Sequence, residues 1–540
     1  MVNDKHWSDV SKALVGKTAI EESQCSTLTD MIHSPDIESF NLAKKLVRLK
    51  LSDVLVQGLN EEQGQAFVNI IDFFKSTDIH AFVLKGFGGT GKTFLINRLI
   101  EYINIAHPSH KIAITAPTNK AIHVLSEYGS YKNAVFEDYG RPSGKIVYCT
   151  IHKLLNLKES IDNEGNVTFV SEVKNGEDIL SYRYVFVDEV SMLSDSLFLS
   201  LMKYKDKIKL LFIGDPAQIC PVKQIDFYLF AKERDKNPRT TMLLGETPLN
   251  FSTYSLTQIM RQKGEHPVVA TSMKIRNNLD KVFPAGKLKT TLNKKGDGIV
   301  HIDAKTNRKA MRSIIETYYK SENYTLISNY VKILAWTNAT VRSLNKIVRG
   351  ILFGEHVDKF VVSERLVADK ALFSRTPMKG KSNCFMYSVK ANTADEFTVK
   401  EVSVQDVRFR ECQSASLFDN LDVTLKCWVL KATANGTNQI ILNIIHDDSI
   451  PQYTEILNNL KKVAKSKKLA AYWGIYYNVV KWNDAVLYDY ALSIHKSQGS
   501  QYQNVMLIEE DVDHNPRLIE RNRIKYTAYT RTVNRLYVLK

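Results

Sequence analysis

An eight-residue run, Gly86-Phe87-Gly88-Gly89-Thr90-Gly91-Lys92-Thr93, constrains this chain more than any other feature. It has the form GxxxxGK[ST]. An apolar run at 81–84 precedes it, and a stretch of helical period at 94–103, with Leu95, Leu99 and Ile103 on one face, follows it. A strand, a Gly-rich turn and a helix in that order wrap backbone N–H groups around phosphate oxygens. The glycines leave room for that approach. Lys92 then reaches the β- and γ-phosphates, and the Thr93 hydroxyl ligates Mg²⁺.

Further short apolar runs lie at 112–115, 184–187 and 210–213, with helical periodicity between several of them. Continuous apolar strands separated by helices predict a parallel sheet covered on both faces. The run at 184–187 ends in two acids, Asp188 and Glu189. Acids at a strand's carboxyl end face the crevice where ligands bind in such sheets. After a phosphate loop, Asp188 is the expected second holder of Mg²⁺ and Glu189 the general base that polarises the attacking water.

The alternation returns with strands at 333–336, 505–508 and 536–538 and a helix at 340–352. Between 361 and 480 the character changes. Runs at 397–402, 423–430 and 439–445 are β-branched and alternating, and a basic helix at 455–468 follows. Residues 1–58 form a mostly helical, polar extension. Its stretch 41–56 carries Lys44, Lys45, Arg48 and Lys50 and reads as a solvated helix face.

Composition narrows the function class. The chain has 540 residues, 44% hydrophobic and 24% charged, which excludes wholesale disorder. No apolar run approaches the roughly 18 residues of a membrane span. The first ten residues carry four titratable side chains, so no signal-peptide core is expected. The six cysteines form no CxxC pair. The expectation is a reduced, soluble, cytoplasmic protein without a membrane partner. Its net charge of +15 favours a polyanion as partner.

The ordered set of motifs resembles the superfamily 1 helicases, closest to the Dda/RecD type of bacteriophage and bacterial DNA helicases. The resemblance spans 59 to 540. Leu59-Asn60-Glu61-Glu62-Gln63 is similar to the Gln motif that precedes the phosphate loop, which makes Gln63 the expected reader of adenine. Ala116-Pro117-Thr118-Asn119-Lys120 and Thr150-Ile151-His152-Lys153 resemble strand-contacting motifs. They imply single-strand contacts from Pro117, Thr118, Asn119, Thr150 and His152. Gly214-Asp215-Pro216-Ala217-Gln218 implies a γ-phosphate sensor in Gln218, and Leu256–Gln262 brings Arg261 as an arginine finger. In the second half, Thr337-Asn338 fits a strand–helix junction that contacts DNA. Ser493-Ile494-His495-Lys496-Ser497-Gln498-Gly499-Ser500 resembles the motif joining DNA, through Ser493, His495 and Lys496, to the nucleotide, through Gln498 and Gly499. Tyr526–Arg531 resembles the last motif, with Arg531 as a second finger. Gln501 stands where the family often has an acid, and Thr532 where it has a small apolar residue.

The resemblance implies an α/β fold of two RecA-like parallel-sheet domains. The first would span 59–262 with a β-hairpin insertion at 156–178. The second would span 263–360 and 481–540, interrupted by the β-rich, SH3-like insertion 361–480. It also implies an ATP- and Mg²⁺-dependent monomer that moves 5′-to-3′ on single-stranded DNA. Such a protein meets a duplex fork and serves replication, recombination or repair with partner proteins. In the hairpin, Asp162-Asn163-Glu164-Gly165 is a turn signal, and Phe169 on the returning strand is the expected strand-separating aromatic. The residues alone leave an RNA helicase, a translocase that does not unwind, and a non-motor P-loop switch as alternatives.

Overall fold

The computed structural model describes every residue except 1, 15–21, 35, 129–145, 172–176, 221–249, 261–265, 283–289, 304–307, 355, 378–384, 412–420 and 435–437. The chain divides into two units. One is Met1–Asn156 with Val173–Met273, and the other is Leu157–Glu172 with Lys274–Lys540.

The first unit is built on six strands in the order Ile146–Thr150, Ile112–Ala116, Tyr184–Val187, Lys209–Gly214, Ala81–Gly86 and Phe251–Leu256. Every neighbouring pair is parallel. The four strands predicted from apolar runs occupy the middle of the sheet. The two that carry no such run are its edges. Phe251–Leu256 alternates with Ser and Thr because an edge strand is covered less completely, and of its residues Leu256 alone is buried. Parallel strands share one carboxyl edge. The segments after Gly86, Ala116, Thr150, Val187, Gly214 and Leu256 therefore gather there, although they are far apart in sequence.

The N-terminal extension corrects one expectation. Helices Val2–Leu14, Glu22–His33 and Ile37–Val56 contribute to the first unit's core, and 41–56, expected as a solvated helix face, buries one of its sides there. Ala43, Val47, Leu51, Val54 and Leu55 are buried, and Trp7, Val10 and Leu14 join the same cluster as Leu95, Leu99 and Ile103. The basic residues of 41–56 split accordingly. Arg48 donates to the Ala106 carbonyl at 3.2 and 3.0 Å and lies 5.1 Å from the Trp7 ring centre, and Lys44 lies 4.2 Å from that of Phe40. Lys45 faces outward.

The second unit holds a six-stranded sheet in the order Ala491–Ser493, Val331–Ala335, Tyr502–Ile508, Thr532–Leu539, Gly298–Ile302 and Thr291–Leu292. All its pairs are parallel except the last. The 361–480 region contributes antiparallel strands Asn438–Ile445, Leu421–Ala434, Glu396–Glu411 and Arg365–Ala368, joined at the edge by Val486–Tyr488. Glu396–Glu411 and Leu421–Ala434 outrun the apolar patterns that announced them, because much of 400–407 is exposed and carries no inward stripe. Helices Ile450–Lys467 and Ala470–Val480 complete the insertion. The molecule is thus a mixed α/β protein with two parallel sheets and an added β-rich layer. Among the described residues no helix is long and apolar enough to cross a membrane. Cys25, Cys149, Cys220 and Cys427 are in no disulfide; Cys384 and Cys412 lie outside the described residues.

The hairpin Leu157–Ile161 and Val167–Ser171 pairs antiparallel. By chain order it interrupts the first sheet; by packing it belongs to the second unit.

Candidate nucleotide site and strand-contacting motifs

The phosphate loop leaves Ala81–Gly86 and enters helix Lys92–Ala106. Gly89 and Gly91 have φ of 90° and 77°, a left-handed backbone that a side chain would strain. A Cβ on Gly86 would stand 2.8 Å from Thr90 Oγ1 and 3.1 Å from the Lys92 stem. Lys92 Nζ donates to the Gly86 and Phe87 carbonyls, both at 2.9 Å, and Thr90 Oγ1 donates to Phe87 at 2.9 Å. Thr93 follows Lys92 on the first turn and is partly buried; Gly88 is exposed.

Gln63 has a different setting from the one its motif suggests. Its amide is 2% exposed and spent within the protein. Oε1 accepts from the Asn60 N–H at 3.1 Å, the Asn60 side chain accepts from the Gln63 N–H at 2.8 Å, and Nε2 donates to the Thr90 carbonyl at 2.9 Å. Gln63 is thus one half of a helix capping box whose free end holds the phosphate loop. A Cβ on Gly91 would collide with its Nε2.

The two acids follow the centre of the sheet. The Asp188 N–H donates to the Thr115 carbonyl at 2.8 Å. Burial pushes the Asp188 carboxyl up, the Glu189 carboxylate adds to this, and Lys92 opposes it. Glu189 sits at φ 50° and ψ 42°, a left-handed conformation costing a non-glycine residue about 1 kcal/mol or more. Gln218 is buried after Lys209–Gly214, and its Oε1 has no hydrogen-bond partner among the described residues.

Three long-range contacts at this edge gave no sequence signal. Glu62 accepts from the Thr257 and Gln258 N–H groups, at 2.6 and 2.8 Å, and from the Thr257 hydroxyl. The Met260 N–H donates to the Gly89 carbonyl at 2.9 Å, and Asn60 Nδ2 meets Met260 Sδ at 2.8 Å. The segment leading to Arg261 is therefore pinned to the phosphate loop; Arg261 itself lies outside the described residues. Thr118 and Thr150 each begin a helix, accepting from Ala121 and Lys153 N–H groups at 3.3 Å. Pro117 and His152 are partly buried and Asn119 is exposed.

In the second unit, Thr337 caps helix Asn338–Phe353, and Asn338 is exposed. Asp511, unmarked in the sequence, accepts from the Trp336 and Thr337 N–H groups at 2.7 and 2.8 Å and from the Thr337 hydroxyl at 3.0 Å. Residues 493–500 turn tightly after the edge strand. Ser493 Oγ accepts from Lys496, Gly499 has φ 78°, and Gln498 is buried. Lys496 is ion-paired with Asp369, and burial lowers the His495 pKa. Arg531 is 5% exposed and donates to the Thr527 and Ser500 carbonyls, both at 3.2 Å, so it joins the last motif to Ser500. At the hairpin tip, Trp473 Nε1 donates to the Asn163 carbonyl at 3.3 Å and Tyr477 to the Gly165 carbonyl at 2.8 Å. Phe169 is 50% exposed, flanked by exposed Val167 and Val170.

An AAA domain model matches residues 74–224 and a UvrD-like helicase C-terminal domain model matches 488–539. Uncharacterized protein R530 of Acanthamoeba polyphaga mimivirus is 24% identical over 515 residues, covering 88% of this chain and 99% of that protein. The RecBCD enzyme subunit RecD of Buchnera aphidicola (subsp. Acyrthosiphon pisum) is 28% identical over 193 residues, 34% of this chain and 29% of that subunit. Among solved structures, the Pif1 helicase from Candida albicans aligns with a TM-score of 0.41 and 15% identity, covering 89% of this chain and 94% of that one. The chain is thus similar to an AAA domain in its first half and to a UvrD-like helicase C-terminal domain at 488–539, in that order.

Proposed function

We propose that the protein is an ATP-driven DNA helicase that moves 5′-to-3′ along single-stranded DNA and separates the duplex it meets. The observation that carries this reading is the gathering of Lys92, Thr93, Asp188, Glu189 and Gln218 after three strands of one parallel sheet, in a chain that also matches a helicase C-terminal domain over 488–539. The local likeness to RecD and the net charge of +15 favour DNA as the track.

The donor set fits a nucleotide with a hard cation. The loop closes where a Cβ would fill it, and burial together with the neighbouring Glu189 carboxylate raises the proton affinity of Asp188, which a divalent ion relieves. Thr93 and Asp188 would hold Mg²⁺, which supplies charge neutralisation at the phosphates. Lys92 leaves the Gly86 and Phe87 carbonyls for the β/γ-phosphates. Glu189 takes the proton of the attacking water, and the buried Gln218 amide orients that water against the γ-phosphate. Gln63 acts on adenine through the loop it holds. Arg261 and Arg531 supply positive charge in the transition state. The track contacts are Pro117, Thr118, Asn119, Thr150, His152, Thr337, Asn338, Ser493, His495 and Lys496, mostly at helix starts and turns suited to phosphates and blind to base identity. Phe169 stacks on the last base pair.

Strand displacement on duplexes with a 5′ DNA tail, a 3′ DNA tail or a 5′ RNA tail tests the reading, with ATP turnover followed alongside. Opening from the 5′ DNA tail alone is expected. Opening from 3′ tails overturns the polarity, and preference for RNA overturns the track. Turnover without opening leaves a translocase, and turnover indifferent to nucleic acid leaves a switch.

A further inference from the structure

We propose that the outer face of helix Ile450–Lys467 binds the phosphate backbone of duplex DNA ahead of the fork; this rests on the helicase reading above. Lys461, Lys462, Lys465, Lys467 and Lys468 are all exposed, and none has an ion-pair partner among the described residues. Glu455 is the single acid of this helix. A basic last turn is common because it complements the helix dipole, and that accounts for Lys465 and Lys467. It does not account for Lys461 and Lys462, more than a turn upstream.

The charged face is rigidly placed. The opposite side of the helix buries Tyr453, Leu460 and Ala464. Ala464 packs in one cluster with Tyr472 and Trp473, and Ile161 of the hairpin packs against that cluster. Trp473 and Tyr477 in turn bond the hairpin tip, and the Ala470 N–H donates to Asn163 Oδ1 at 3.0 Å. The half of the helix that carries the lysines is thus the half bound to the hairpin bearing Phe169. Where Phe169 meets the last base pair, these lysines stand beside the unopened duplex. Asp162 of the hairpin turn is directed onto its own loop, accepting from Glu164 and Asn166 N–H groups at 2.9 and 2.8 Å, and neither Glu159 nor Glu164 is ion-paired with these lysines among the described residues.

The chemistry of the face selects the partner. The helix's other exposed residues are polar apart from Ile450 and Pro451 at its start, and they include Glu455. The face has no aromatic side chain on which unpaired bases could stack, as single-strand sites use. It has no apolar stripe to enter a lipid surface. Fixed cations without stacking partners suit a duplex read through its phosphates.

The test is the triple substitution Lys461→Gln, Lys462→Gln, Lys465→Gln in the full chain. Binding to blunt duplex, forked duplex and single-stranded DNA is measured by anisotropy from 50 to 200 mM salt. Each lost phosphate contact lowers the slope of log K against log salt by about 0.9, so a fall of roughly 2–3 is expected for duplex and fork. Affinity for single strands and single-strand-stimulated ATPase should stay unchanged. An unaltered slope on duplex overturns the proposal. So does an equal loss on single strands, or a loss confined to vesicles of acidic lipid. Wild-type ATPase that no nucleic acid stimulates refutes the helicase reading instead, and the duplex titration still judges the lysine face on its own. Gln is a good helix former, and Lys461→Arg, Lys462→Arg, Lys465→Arg, which should bind as wild type, separates charge from any damage to the helix.

Discussion

The Trp473 indole lies 2.5 Å from where a Cβ on Gly165 would stand, across more than 300 residues of chain. Gly165 also has φ 88°, so both its backbone and its neighbour exclude a side chain. Gly165→Ala should lift the hairpin tip off Trp473 at a cost of about 1–3 kcal/mol locally. We expect slower strand displacement with single-strand-stimulated ATPase retained. Displacement at the wild-type rate would show that the docked tip is not needed for unwinding.

Phe169 is half-exposed, so its removal should cost the fold little. Phe169→Ala is expected to keep its melting temperature within a few degrees, keep ATPase and keep single-strand translocation, while losing duplex separation. A fall in melting temperature and ATPase together would mark Phe169 as a packing residue.

Much of this site could be read from the chain because its chemistry sits in contiguous runs. The loop 86–93 and the pair Asp188-Glu189 each follow a strand buried along all or nearly all of its length, where period and motif agree. Edge strands were hidden: Phe251–Leu256 alternates with Ser and Thr, and Ile146–Thr150 is partly buried. Contacts between distant segments were also hidden. Glu62 on Thr257, Asp511 on Thr337 and Trp473 on Asn163 join residues whose local sequence carries no trace of the partner. Gln63 shows the opposite case. Its Asn60-x-x-Gln63 spacing is a legible capping box, and that local role uses the amide that the motif alone would give to adenine.

Glu189 holds a left-handed backbone that glycine adopts freely. Glu189→Gly should therefore leave stability unchanged or raise it by up to about 1 kcal/mol, while abolishing hydrolysis. Glu189→Gln should bind ATP and fail to turn it over, because an amide cannot take the water's proton. Lys92→Ala should lose both. Denaturant unfolding and ATPase on the three variants separate strain from chemistry; turnover surviving in Glu189→Gln would remove Glu189 from the role of base.

Truncating Gln63 frees two partners at once, the Asn60 N–H and the Thr90 carbonyl. Gln63→Ala should cost about 1–3 kcal/mol through these unpaired groups and weaken ATP binding as the loop loosens. The decisive measurement is the ratio of kcat/KM for ATP to that for GTP. A ratio that holds while both values fall assigns Gln63 to the loop; a ratio that collapses restores direct reading of adenine.

Arg531 has two candidate duties that leave different marks. Its guanidinium bonds the Thr527 and Ser500 carbonyls and is almost fully buried, so Arg531→Ala should destabilise the second unit by a few kcal/mol. Arg531→Lys keeps a cation but cannot present the same planar fork to two carbonyls and a phosphate. If Arg531 also serves the transition state, Arg531→Lys should lower kcat by tenfold or more at saturating single strand, with KM for ATP little changed and the melting temperature only modestly lowered. Arg261→Ala supplies the comparison, because a finger without a structural duty should lower kcat with no change in melting temperature. Should Arg531→Lys lose stability in step with activity while Arg261→Ala loses activity alone, the finger is Arg261, and Arg531 is the brace that holds Ser500 to the last motif.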